Sequence, residues 1–179
     1  MKSLSVLSIA VIVILVFNAC SGSKIGRKEL NIPFSDKEYQ TDKDFFRAKQ
    51  MGASPDLATA KKIAMQNAKA ELAGNIETLM KRVVDNYTQQ ITVDDEMELI
   101  NKFEELSRQT TSQTLNDVRT IGEKVFEEDG KYTYWVAIEM PKQHILDQMN
   151  SNIEKDKKAQ LNYDKEKFEE IFNKEMEGM

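Results

Sequence analysis

SPDLATAKKIAMQNAKAELAGNIETLMKRVVDNY, residues 54–87, decides the fold. Ser54-Pro55-Asp56 reads as a helix start: a hydroxyl cap, proline at the first helical position, and an acid that meets the dipole. From there Leu57, Ala60, Ala64, Ala68, Leu72, Ile76, Leu79, Val83 and Tyr87 recur at steps of three and four, so they share one helical face. Lys62, Gln66, Lys69, Glu77 and Lys81 take the opposite side. Three alanines at four-residue spacing leave no bulk at the contact, so this end of the helix can lie close to a sheet. Gly74 costs ~1 kcal/mol against alanine inside a helix, and the expectation is that it relieves crowding there.

Upstream, Phe45 to Met51 is a short candidate strand ended by Gly52. Downstream, a second helix is expected from Asp94 to about Arg108, capped by Thr92, with Met97, Ile100, Phe103 and Leu106 along one side. The period then changes. Strands over Thr114 to Phe126 and Lys131 to Met140 flank Glu127-Glu128-Asp129-Gly130, and Asp-Gly is a strong hairpin signal. Tyr132, Tyr134, Val136, Ile138 and Met140 alternate with Thr133, Trp135, Ala137 and Glu139, so the first set should face the long helix. Trp135 and Ala137 then leave the other face partly apolar, which makes it the candidate interaction surface, open to another element or to a partner.

Residues 142–179 form a charged, helical tail. Ile145, Leu146, Met149 and Ile153 begin an apolar stripe, Lys155 to Lys158 interrupt it, and Phe168, Ile171, Phe172 and Met176 resume it. Two arrangements fit: a helix packed on the domain at both ends, or an arm that projects to a partner. The fold class expected is α+β, with a long helix on a small antiparallel sheet in the order strand–helix–helix–strand–strand, followed by a C-terminal helix.

Little in the chain points to catalysis. His144 is the only histidine and Cys20 the only cysteine, so neither a thiolate–imidazole pair in the domain nor a multi-histidine metal site can be built. No G-x-S-x-G elbow and no glycine-rich phosphate loop occurs. Asp94-Asp95-Glu96 lacks the glycine-centred loop of a calcium site and serves as the acids of a first helical turn. Glu127-Glu128-Asp129 reads as a solvated hairpin end, and Asn86-Tyr87-Thr88 matches a glycosylation acceptor only by pattern. An enzyme is therefore not expected, nor a metal, nor a cofactor. A formal charge of −5 without a basic run gives no electrostatic help toward nucleic acid, and none is expected as a partner.

The N-terminus is more specific. Lys2, the apolar run Val6 to Phe17 broken only by Ser8, and then Asn18, Ala19 and Cys20 have the layout of a secretory signal. That run is about a dozen residues, whereas a spanning helix needs ~20. Phe17-Asn18-Ala19-Cys20 resembles a lipobox, although the usual pattern has Leu where Phe17 stands and a small residue in place of Asn18. Cleavage is expected between Ala19 and Cys20, with lipid on the Cys20 thiol. The alternatives are an uncleaved anchor, or a secreted protein whose cysteine is incidental. Cleavage leaves 160 of the 179 residues, with a formal charge of −6 after the loss of Lys2. Under the sorting rule in which Asp after the cysteine retains a lipoprotein in the inner membrane, Ser21 points to the outer membrane, and because Ser21-Gly22-Ser23-Lys24 lacks the acidic cluster that exports some lipoproteins to the cell surface, a periplasm-facing position is expected. The expected segments are 1–19 signal, 20–43 lipidated N-terminus and tether, 44–141 domain and 142–179 charged helix.

The ladder Ala60, Ala64, Ala68, Leu72-Ala73 and Ile76, with Gly52 before it and Tyr132-Thr133-Tyr134-Trp135-Val136-Ala137 far downstream, resembles the LPP-twenty lipoprotein family, which the N-terminal domain of flagellar assembly protein T also resembles. The likeness covers about residues 44–141. It implies a helix laid across a small antiparallel sheet, rather like dodecin subunits, and no catalytic residues. It also implies an envelope lipoprotein without a defined activity. The function expected is a structural or interaction role at the outer membrane, with lipid on Cys20 as the membrane anchor and a protein partner or a second copy as the contact. The rival expectation is a periplasmic small-ligand binder or weak hydrolase with a pocket between helix and sheet.

Overall fold

The structure, a computed structural model, describes residues 30–91, 96–161 and 163–178. The signal and its cleavage site at Ala19 and Cys20 lie outside the described residues, as do Thr92, Asp94 and Asp95. Three strands, β1 (Phe45–Ser54), β2 (Arg119–Glu128) and β3 (Lys131–Pro141), form one antiparallel sheet in the order β1-β3-β2. β1 pairs with β3 from Phe45↔Pro141 to Ser54↔Tyr132, across some 80 to 95 residues of sequence. β2 and β3 are joined by the expected hairpin. Asp129 and Gly130 have φ of 51° and 71°, the paired left-handed conformations that a two-residue turn requires and that Asp-Gly tolerates.

α1 (Leu57–Thr88) lies across one face of the sheet. Its expected apolar set from Ala60 to Tyr87 is fully buried, and Val136, Ile138 and Met140 of β3 are buried against the same core. The alanines bring backbone against backbone. A Cβ on Gly52 of β1 would stand 2.3 Å from the Ala60 carbonyl oxygen and 2.5 Å from the Ala64 amide nitrogen. Gly52 therefore sits inside β1, at the closest approach of helix and sheet, instead of ending the strand.

The helix start also differs from expectation. β1 continues to Ser54, and Asp56 takes the cap, its carboxylate accepting from the Thr59 amide at 2.8 Å and the Thr59 hydroxyl at 2.7 Å. An acceptor that serves two donors outcompetes the single hydroxyl two residues earlier, and both bonds hold the Asp56 carboxyl below its usual range. Gly74 has nothing within 4 Å of a built Cβ, so it relieves no crowding.

α2 (Glu96–Thr114) runs six residues beyond the expected end. Its buried line is Leu99, Phe103 and Leu106, continued by Thr110, Thr111 and Thr114, while Met97 is exposed. The threonines hid this part of the helix. Their hydroxyls bond back to the helix's own carbonyls, Thr111 to Ser107 at 3.1 Å and Thr114 to Thr110 at 2.9 Å, so a polar face is buried without loss. Thr114 thus belongs to the helix, and the strand expected from it begins only at Arg119.

The tail is docked. α3 (Lys142–Lys155), α4 (Lys157–Leu161) and α5 (Lys165–Glu177) fold back on α1 and α2. The polar interruption is a turn: Asp156 ends α3 and accepts from the amides of Lys158 and Ala159, while Lys102 of α2 binds its carboxylate at 2.9 Å. Phe168 of α5 then meets Tyr87 edge-on at 5.3 Å between centroids, with Phe103 and Tyr163 completing a ring cluster. The Asp164 amide donates to the Tyr87 hydroxyl at 2.7 Å, which helps fix this return.

Candidate interaction surface

The face of the sheet turned away from α1 is set by the register. Phe45/Pro141, Arg47/Glu139/Arg119, Lys49/Ala137/Gly122, Met51/Trp135/Lys124 and Ala53/Thr133/Phe126 form its successive rows. A bulge between Thr120 and Gly122 keeps Arg119 and Gly122 on this same side.

Ala137 is completely buried here, and the cover comes from the segment before β1. Phe34, at φ 62°, lays its ring on Gly122, where a Cβ would stand 2.5 Å from the ring. Lys49 donates to the Phe34 carbonyl at 2.7 Å, Lys124 stands 5.3 Å over its ring, and Tyr39 of a short 3₁₀ turn (Lys37–Tyr39) packs at 4.8 Å. The chain from Ile32 on belongs to the compact unit, so the last part of the expected tether is structured. Its only sequence signal was one isolated phenylalanine.

On one side of this plug lies a charged row. Glu139 is 5% exposed and lies between Arg47, whose Nε donates to it at 3.0 Å, and Arg119, which also donates to it. Arg47 further binds Asp42 at 2.5 Å and the Gln40 carbonyl at 2.8 Å. Burial works against ionisation of Asp42, but its bonds to Arg47 and to the Asp44 and Phe45 amides outweigh that and hold its carboxyl low. Charges at 6 and 12% side-chain exposure are tolerated only as such a paired set. Alternation placed Glu139 on this face, but only strand pairing brings the two arginines to it.

On the other side the face is open. Trp135 is half-buried between Met51 (39% exposed) and Lys124, and Phe126 (51%) lies on the next row. The structure therefore brings Trp135 together with Met51, Phe126 and Lys124, and removes Ala137 from the surface.

The other residues weighed for chemistry are dispersed. His144 is exposed on α3, and Glu127 to Asp129 lie exposed at the hairpin. Tyr87 and Thr88 are buried, and Asn86 donates to Glu175 at 2.8 Å, so the acceptor pattern is packed into a helix. Among the described residues no three His, Cys, Asp or Glu side chains stand together as a metal would need, and no helix is long and apolar enough to cross a membrane. One buried amine was not anticipated. Lys142 is fully buried, its Nζ 3.5 Å from the Met176 carbonyl and 5.1 Å from the Phe46 ring centre, and burial pushes its pKa down. A cleft of about 420 Å³ beside it is lined by Lys43, Asp44, Phe45, Gln143, Asn173 and Met176 among others, a mixed polar and apolar set without a nucleophile–base pair. No protein-family model matches the chain, and no curated protein matches it.

Proposed function

We propose that this chain is an envelope lipoprotein of the LPP-twenty type, carried at the outer membrane by lipid on Cys20 and facing the periplasm, with a non-catalytic interaction role. The observation that carries the reading is the run Phe17-Asn18-Ala19-Cys20 behind a short apolar segment. The fold supports it, because a long helix laid across a small antiparallel sheet is what the resemblance implies, although α2 is an addition to the strand–helix–strand–strand order of that resemblance. The open patch around Trp135 supplies the surface for such a role.

The rival, a ligand site or weak hydrolytic site between helix and sheet, needs room there. Ala60, Ala64 and Ala68 are fully buried, and Gly52 meets the backbone of the helix directly. Small residues at a contact draw backbones together and leave no void to fill. The test is Cys20→Ala. The variant is expected to stay uncleaved or to become soluble, and a correctly cleaved variant that remained in the membrane fraction would refute lipid anchoring.

A further inference from the structure

We propose that two copies of this chain pair β2 with β2, antiparallel about a two-fold axis at Phe126, and so make one continuous sheet of both. The inference rests on the interaction role proposed above and names its partner, but it does not depend on the lipid.

The two edges of the sheet differ. Along β1 the outward backbone groups are taken by the chain itself. The Thr41 hydroxyl accepts from the Arg47 amide at 2.9 Å and donates to the Arg47 carbonyl at 3.1 Å. Asp42 accepts from the Phe45 amide at 2.9 Å, and Asn67 donates to the Met51 carbonyl at 3.0 Å. β2 has no such cover. Glu128 and Lys131 flank the two-residue turn as the last ladder pair, so Glu123, Val125 and Glu127 turn their amides and carbonyls away from β3. Among the described residues no hydrogen bond reaches those groups from outside the strand. An open edge is a template for another strand. With β1 closed, the edge meets its own counterpart in a second copy, and the pair ends as a dimer, not a filament.

Charge fixes the register. Lys124, Phe126 and Glu128 lie on the outer face of β2, and Glu123, Val125 and Glu127 on the face toward α1. With the axis at Phe126, the two phenylalanines, each 51% exposed in a single copy, oppose each other. Each Lys124 then stands opposite Glu128 of the second copy, while Val125 and Glu127 exchange the backbone bonds. An axis at Lys124 or Glu127 would set that charge against itself, and one at Val125 would set Glu123 against Glu127. The Phe126 axis does bring Glu123 toward Asp129, but Asp129 lies in the turn, beyond the ladder, and Lys61 binds Glu123 at 2.9 Å. Lys124 and Glu128 are both exposed, and among the described residues neither is in an ion pair; Lys124 stands over the Phe34 ring. A lysine on an edge strand ordinarily guards it against pairing. Here the second copy brings the carboxylate that neutralises it.

Crosslinking reads the register. Opposed residues in a non-hydrogen-bonded pair stand ~4.5 Å apart at Cα, inside the ~7 Å limit for a disulfide. Phe126→Cys is placed in the full chain, expressed in cells and oxidised with copper phenanthroline, and the disulfides are mapped by peptide mass spectrometry. The expected product is a dimer joined at the substituted position. Lys124→Cys or Glu128→Cys alone should give none, because four residues of strand hold the like positions ~13 Å apart, whereas the two co-expressed should crosslink. Without oxidation, Glu128→Lys should weaken the dimer about tenfold in analytical ultracentrifugation, and adding Lys124→Glu should restore it. No dimer from Phe126→Cys overturns the pairing, and equal crosslinking of all three single variants, or no rescue by the charge swap, overturns the register. Mass analysis of Cys20 keeps the two readings apart. A dimer with that thiol bare retains the interface and removes the anchor, and a lipidated chain without a dimer does the reverse.

Discussion

Replacing Gly52 by alanine adds a single methyl group at the point where α1 comes closest to the sheet. That carbon would lie 2.3 Å from the Ala60 oxygen, 2.5 Å from the Ala64 nitrogen and 2.8 Å from the Ile63 Cβ. Two of the three are backbone atoms, so no side chain can swing aside. Ordinary contact requires α1 to retreat by roughly 1 Å, which loosens the row Ala60, Ala64 and Ala68 together. The expected loss is ~3 kcal/mol, the upper part of the range for overpacking a rigid contact. At ~2–4 °C per kcal/mol for a domain of this size, Tm should fall by ~6–12 °C. Gly74→Ala is the internal control. It makes the same chemical change where nothing lies within 4 Å, and should stabilise by ~1 kcal/mol through helix propensity alone. Thermal unfolding followed by circular dichroism reads both. A Gly52→Ala protein that melts within about 2 °C of the parent, a loss under ~1 kcal/mol, would refute the close helix–sheet contact.

The buried amine of Lys142 has its pKa lowered by burial, so between that lowered value and the ordinary one the unfolded chain binds more protons than the folded one. Stability should therefore rise with pH through the window between the lowered folded value and the ordinary ~10.4 of lysine, and Lys142→Met should remove that slope in melts taken from pH 7 to 10. The carboxyls of Asp42, Glu123 and Asp156 are also held below their ordinary values, Glu123 by its bonds to Tyr134 and Lys61, and Asp156 by Lys102. Their stabilisation is present above the unfolded value of ~4 and is lost as pH falls through the lower folded values. Melts that stay level from pH 5 to 2 would contradict this. Glu139→Ala strips Arg47 of a buried partner and should cost ~2–3 kcal/mol by urea unfolding, whereas Arg119→Ala, at a side chain 70% exposed, should cost under ~1 kcal/mol.

The sequence was most informative where one periodicity governed many residues. The alanine ladder located α1 and its buried line, Asp129-Gly130 located the hairpin, and alternation from Tyr132 to Met140 assigned both faces of β3. It misled where two local signals competed. Ser54-Pro55-Asp56 holds two capping side chains, and pairing of Ser54 with Tyr132 keeps Ser54 in the strand, leaving the cap to Asp56. It was silent where burial is polar or solitary. Thr110 and Asn152, joined at 2.9 Å in the core, look like surface residues in a list of letters. The outer face shows the same limit. Trp135 and Ala137 alternate identically, and only the return of Phe34 onto Gly122 separates the covered residue from the open one.

The middle strand of the sheet is the last of the three in the chain. Until β3 exists, β1 and β2 have nothing to pair with, and the ring of Tyr87 waits longer still, for Tyr163 and Phe168. A growing polypeptide of this design stays unknotted and threadable through most of its synthesis. That is the condition in which a chain can be drawn through a narrow channel before it assumes a shape too wide to pass.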